Sequence, residues 1–282
     1  MSMEGCTAEY LKYKYNRIAL IKDLQTPAYI IRQIFTDYPF KGMSRDIARH
    51  LNTPADILEK LSRHPQVRTR AIVAGNLRIS EDIVELLFQD GEHRVRCRIA
   101  QNPQTPEHLL SSLAKDESKY IRANVGKNSQ TPQRILWLLA QDKSPWVRAG
   151  VASNIYVEKS ILEMLAQDKK GNVLANVLHN PQCNPRILNI LVNNSHLNEM
   201  SRYEIADNPL TWEVHLNQLA SDSYVYVRRN VARNPGTSLE TLNRLLADKI
   251  DFVRQFAAHN LQQRQLETGD SNPQKRDNFE DE

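Results

Sequence analysis

Apolar residues recur along this chain in two alternating clusters, and the pair of clusters returns every 26 residues. Within residues 95–116, Val95, Ile99 and Ala100 share one face of a short helix, and Leu109, Leu110, Leu113 and Ala114 form a second stripe after a polar gap. The first set returns as Ile121, Val125 and Gly126 and as Val147, Val151 and Ala152; the second returns as Ile135, Leu136, Leu139 and Ala140. Each unit therefore predicts a helix A of about eight residues and a helix B of two or three turns. Helices this short do not hold alone in water, so the stacking of unit on unit must supply the stability.

The polar positions keep the same frame. Asn76, Asn102, Asn128, Asn154, Asn180, Asn208, Asn234 and Asn260 follow at steps of 26 residues, with one step of 28. A period in this range marks a stacked repeat protein rather than a globular enzyme domain. His50 and Asp23 occupy the same frame position upstream. Asn102-Pro103, Asn180-Pro181, Asn208-Pro209 and Asn234-Pro235 stop helix A, because the residue before a proline is pushed out of the α region. Thr53-Pro54, Thr105-Pro106 and Thr131-Pro132 then predict the start of helix B, with Thr as N-cap and Pro at the first helical position.

Two polar columns read as structural. Asp90, Asp116, Asp142, Asp168, Asp222 and Asp248 each end a helix B, six residues before an Arg position filled by Arg96, Arg122, Arg148, Arg228 and Arg254. A guanidinium fork binds carboxylates and carbonyls together, so this spacing predicts an Asp and Arg ladder along the seams. Asn102, Asn128, Asn154, Asn180, Asn208 and Asn234 predict buried amides that pair with loop backbone. The frame breaks once: two residues are added between Val192 and Met200, Asn194 stands at the Asp position, and Leu174 stands at the Arg position one unit earlier. A bend or loosened joint is expected at residues 193–200.

The run Val95-Arg96, Asn102-Pro103, Thr105-Pro106, Leu110, Leu113-Ala114, Asp116 resembles the leucine-rich repeat variant family, with a weaker copy from Val147-Arg148 to Asp168. The Asp and Arg spacing is also similar to HEAT repeats. The resemblance implies an all-α, right-handed superhelical solenoid, here of about nine to ten two-helix repeats over residues 23–261. Residues 1–22 would cap it, and residues 262–282, polar and poor in apolar side chains, would form a disordered tail. Some members of that family carry a Cys-rich iron–sulfur segment before the repeats. This chain offers only Cys6 there, so no cofactor is expected.

Charge and chemistry narrow the picture only a little. The net charge is +4; the tail holds six acids and three bases, which leaves +7 on the rest. That excess suits an acidic partner, protein or nucleic acid. No apolar run approaches the ~18 residues of a membrane span and no signal pattern opens the chain, so a soluble, cytoplasmic protein is expected. Cys6, Cys97 and Cys183 are solitary, and no phosphate loop, His-Glu-x-x-His, Gly-x-Ser-x-Gly or paired-Cys metal motif is present. Neither metal binding nor catalysis is expected.

Function must then lie in side chains that the stack leaves free. These stand eight, four and one residues before the Asn positions, on one face of helix A: Arg94, Arg98 and Gln101; Tyr120, Asn124 and Lys127; Trp146, Gly150 and Ser153; Asn172, Asn176 and His179; Met200, Glu204 and Asp207, whose acids interrupt any continuous phosphate track; Tyr226, Asn230 and Arg233; Phe252, Phe256 and His259. Aromatic and Arg residues anchor protein interfaces and also hold single-stranded nucleic acid. The expected function is a protein-interaction scaffold, with nucleic-acid binding through Arg94, Arg98, Lys127 and Arg233 as the alternative. Tyr120, Trp146, Tyr226 and Phe252 either face a partner or seal the junctions between units; the sequence leaves both open.

Overall fold

A computed structural model describes residues 14–37 and 42–269, and its regular structure there is all helix. Residues 1–13, and Cys6 among them, lie outside the described residues, so of the N-terminal cap only the helix Lys14–Lys22 is placed. The chain divides into two compact units, Met1–Ile161 and Leu162–Glu282. Each unit is an all-α stack of helical repeats. In the first, A-helices such as Val67–Ala74, His93–Gln101, Lys119–Lys127 and Pro145–Ala152 alternate with B-helices such as Glu81–Phe88, Glu107–Leu113 and Gln133–Leu139. In the second, Glu199–Asp207, Val225–Arg233 and Asp251–Gly269 are A-helices, separated by Glu213–Leu219 and Leu239–Leu245.

The apolar stripes face inward. Val95, Ile99, Leu110, Leu113, Ile121 and Leu136 are buried completely or nearly so. Consecutive A-helices approach closely where side chains vanish: a Cβ on Gly150 would stand 2.5 Å from the Ala123 carbonyl oxygen, and one on Gly126 would stand 3.0 Å from the Val151 nitrogen.

The Thr-Pro turn differs from expectation. Pro106 is itself the N-cap (φ −61°, ψ 152°), and its carbonyl accepts from the N–H groups of Leu109 and Leu110. The Thr105 hydroxyl instead donates 2.6 Å back to the Ile99 carbonyl, as Thr131 does to Val125 and Thr237 to Val231. The Ile99 carbonyl already accepts from the Asn102 N–H, and the Thr105 hydroxyl, folded back by the tight turn, takes its second lone pair.

The Asn side chain ties each repeat to the one before. Asn128 donates through Nδ2 to the carbonyls of Ala100 and Asn102, both at 2.9 Å, while its Oδ1 accepts from the Gln130 N–H. Asn102, Asn154, Asn234 and Asn260 bond to the preceding repeat in the same way. Asn180 is buried and accepts from the Gln182 N–H. His50 performs the task with a ring: Nδ1 accepts from the Asn52 N–H and Nε2 donates 2.8 Å to the Asp23 carbonyl.

The Arg column joins two seams at once. Arg122 donates from Nη1 to the carbonyls of Asp116 and Glu117, and from Nε and Nη2 to the Asp142 carboxylate, at 2.6 and 3.0 Å. Arg96 pairs with Asp116 and Arg228 with Asp248 in the same sense. Arg148 donates to the Asp142 carbonyl at 2.8 Å, and Arg254 to that of Asp248 at 2.6 Å. Arg70 with Asp90 and Arg202 with Asp222 are further rungs beyond the expected column, and both Arg residues stand six before an Asn. Hydrogen bonding to Arg70 and Arg228 holds the carboxyls of Asp90 and Asp248 below the usual carboxylate range.

One expectation is corrected at the frame break. Asn208 is exposed rather than buried; its Oδ1 accepts from the Leu210 N–H, but the inserted residues move it away from the rung position. The A-helices on either side of 193–200, Gly171–Leu178 and Glu199–Asp207, do not stack closely as Glu199–Asp207 and Val225–Arg233 do, which is the loosened joint expected there, but the turn itself is closed by side chains. Asn194 donates to the carbonyls of Ala166 (2.9 Å) and Asp168 (3.0 Å) and accepts from the His196 N–H, and Asn198 caps the next helix through the Ser201 N–H. The next helix starts five residues after Asn194, as the helix Glu107–Leu113 does after Asn102, whereas Lys119–Lys127 starts three after Asp116. The two added residues thus convert a short turn, closed elsewhere by an Asp such as Asp116, into the longer kind used between A and B, which an Asn closes.

The end of the chain departs from expectation as well. The last helix runs Asp251–Gly269, so residues 262–269 of the expected tail are helical, while 270–282 lie outside the described residues. No proline follows Asn260 to stop helix A, and Leu261-Gln262-Gln263-Arg264-Gln265-Leu266 are good helix formers.

Candidate functional site

In the first unit the free face of the A-helices carries a basic groove of about 640 Å³. Arg49, Arg68, Arg94 and Arg98 line it, with Tyr120 at one end, and no carboxylate is among its lining residues. All four guanidinium-bearing residues are exposed; Arg49 makes an exposed ion pair with Asp46 at 3.1 Å. The floor is aliphatic, from Val67, Ala71 and Ile72, with Cys97 beside them. Burial pushes the Cys97 thiol pKa up, so it stands in the wall as an uncharged thiol. A second cleft of about 320 Å³ shares Arg49, Ala71, Ile72 and Arg98 with the first and adds Leu51, Gly75, Asn76 and Leu77.

Among the residues expected on this face, Arg94, Arg98, Tyr120, Lys127 and Trp146 are exposed, Tyr120 and Trp146 at 59% and 58%. The Lys119 ammonium lies 5.3 Å from the Tyr120 ring centre, a cation–π contact on the same side chain. Asn124 is half-buried and accepts from Gln101 Nε2 at 3.0 Å. Gly150 is pressed against Ala123 and offers no surface.

On the corresponding face of the second unit side chains pack on one another, while Tyr226 (43%) and Arg233 stay exposed. Asn230, expected to be free, is 1% exposed and donates to the Tyr203 carbonyl at 3.2 Å. Arg229 lies over the rings of Tyr203 and Tyr226 and donates to the Tyr203 hydroxyl at 3.1 Å. Tyr226 stacks on Phe252 with ring centres 6.1 Å apart, and Arg233 lies 5.5 Å over Phe256. Here the rings stack across the junctions with Tyr226 still partly exposed; in the first unit Tyr120 and Trp146 stand out further.

A column absent from the expected face accounts for the difference. Five before each Asn stand Ala71, Cys97, Ala123, Ala149 and Ala175, and then Tyr203 and Arg229. Small side chains leave space between adjacent A-helices, and large ones fill it. The signal was legible in the sequence, but its meaning depends on knowing that this position lies between helices. Arg49 was missed because it stands at the edge of the frame, one before His50.

Among the described residues no group of His, Cys, Asp and Glu is arranged to hold a metal ion, and no helix is long and apolar enough to cross a membrane.

The repeat resembles the leucine-rich repeat variant. A solved structure described as "a leucine-rich repeat variant with a novel repetitive protein structural motif" is similar over 86% of this chain and 84% of its own, at 22% identity and a TM-score of 0.44. An engineered protein covers 93% of this chain and 98% of its own at 12% identity (TM-score 0.33), and a designed armadillo repeat protein covers 91% and 97% at 11% (TM-score 0.15). No family model and no curated protein matches the chain.

Proposed function

We propose that this chain is a non-catalytic binding module whose first unit grips an acidic segment of another protein in the groove lined by Arg49, Arg68, Arg94 and Arg98. The observation that carries this reading is the absence of any carboxylate among the lining residues of a groove with four arginines. The neighbouring ladder arginines are neutralised by the frame: Arg70, Arg96 and Arg122 each hold an Asp. Arg68, Arg94 and Arg98 sit two residues from those rungs, on the face that no Asp reaches. Charges in a concave site with low-dielectric walls focus the field and raise the local concentration of an oppositely charged ligand.

Single-stranded nucleic acid is the second reading, favoured by the exposed rings of Tyr120 and Trp146. The test is fluorescence anisotropy with a labelled oligoglutamate and a labelled single-stranded oligonucleotide at low salt. The Arg94→Glu, Arg98→Glu double variant should lose at least about tenfold in affinity for the true class of ligand. The Arg63→Glu, Arg78→Glu pair makes the same charge change outside the groove and should lose much less. Equal losses from the two pairs would mean that overall charge, not the groove, holds the ligand.

A further inference from the structure

The basic groove does not end in a flat wall. Its neighbouring cleft shares Arg49, Ala71, Ile72 and Arg98 with it, so two guanidinium groups flank an aliphatic recess. Leu51 and Leu77 form the lip of that recess and are 43% and 51% exposed, although each follows a buried rung residue. Gly75 forms the rim. The same frame position holds Gln101, Lys127 and Ser153 in the later repeats of this unit, so the recess exists because a side chain is missing here.

The missing side chain is not demanded by the backbone. Gly75 has φ −92° and ψ −1°, a conformation open to any residue. A Cβ there would meet Ile72 O at 3.6 Å, Ala71 O at 3.8 Å and Arg98 Cδ at 3.8 Å, all ordinary contacts. Packing therefore does not explain the glycine, whereas at Gly150 it does.

We infer that the recess takes one large aliphatic or aromatic side chain of the bound segment, with acidic residues on both sides of it held by Arg49, Arg68, Arg94 and Arg98. This deepens the acidic-partner reading and rests on it. Charge complementarity selects the flanks, and the aliphatic floor selects a protein over a nucleic acid: a base stacks on flat aromatic faces, and the recess offers leucine, isoleucine and alanine instead. Burying one such side chain in a recess of this kind is worth about tenfold or more in affinity.

The experiment compares three labelled probes on the full chain: a peptide with a central leucine between paired glutamates, its counterpart with serine for leucine, and a single-stranded DNA oligonucleotide of equal charge. The leucine peptide should bind at least about tenfold tighter than the serine peptide. The Gly75→Leu variant, which fills the recess, should erase that preference, so that the leucine and serine peptides bind it equally; circular dichroism confirms that it folds. If both peptides bind equally and Arg94→Glu, Arg98→Glu weakens both, the anchor is refuted and the acid-binding groove stands. If the oligonucleotide binds tightest, the anchor is refuted and the nucleic-acid reading takes its place. If none of the three binds, both the anchor and the groove are refuted.

Discussion

Asn128 and Asn208 occupy the same position of the 26-residue frame, and the structure predicts that removing their side chains has very different consequences. Asn128 is 4% exposed and its amide makes three hydrogen bonds, two to carbonyls of the previous repeat and one from the Gln130 N–H. Asn128→Ala leaves those carbonyls and that N–H without the partner that closes the turn. At roughly 1 kcal/mol net for each bond, and more where a group stays buried and unpaired, the loss is about 3–5 kcal/mol. Asn208 is exposed and accepts one bond, from the Leu210 N–H at 2.9 Å. Its loss should cost about 1 kcal/mol or less, because water replaces it. Urea unfolding followed by circular dichroism at pH 7 measures both midpoints. Equal shifts for the two variants, in either direction, would refute the argument that contact with the preceding repeat, rather than position in the frame, sets the worth of each Asn.

The ladder provides a second contrast. Arg228 and Asp248 are each 7% exposed, so Asp248→Ala leaves a guanidinium almost buried and should cost about 3–5 kcal/mol. Arg32 and Asp56 are 52% and 45% exposed, so Asp56→Ala should cost less than about 1 kcal/mol in the same unfolding assay. Because the folded-state pKa values of Asp90 and Asp248 are lowered, their contribution is present above about pH 4 and is lost as pH falls through those lowered values; a pH series of unfolding midpoints that stays level down to pH 2 would contradict the ladder. His215 is 1% exposed, bonds through Nε2 to Asn189 Oδ1, and has its pKa lowered by burial, so the fold prefers the neutral ring. Protonation below about pH 6.5 therefore weakens the fold, and the stability gap between the parent chain and His215→Gln should narrow from pH 7.5 to pH 5. Gly150→Ala places a methyl 2.5 Å from a backbone oxygen and should cost about 1–3 kcal/mol, whereas Gly91→Ala, with nothing within 4 Å, should change stability by less than about 1 kcal/mol in thermal melts.

The sequence by itself determined the architecture of each repeat. Apolar spacing at Val95, Ile99 and Ala100 and at Leu109, Leu110 and Leu113 sets two short helices, and proline after Asn102 and Thr105 sets where one stops and the next begins. These are local constraints, felt within a few residues, and a periodic chain states them many times. Tertiary structure decided the rest. Whether Thr105 looks forward or back depends on where the turn places its hydroxyl relative to the Ile99 carbonyl, and whether an Asn is buried depends on the register of the repeat beneath it, as Asn208 shows. Whether an A-helix face is open depends on side chains of the neighbouring helix: Tyr203 and Arg229 close it in one unit, and Ala71, Ile72 and Gly75 leave it open in the other. Accessibility belongs to pairs of helices a full repeat apart in sequence, and no periodicity along one chain states which of those pairs leaves room for a guest.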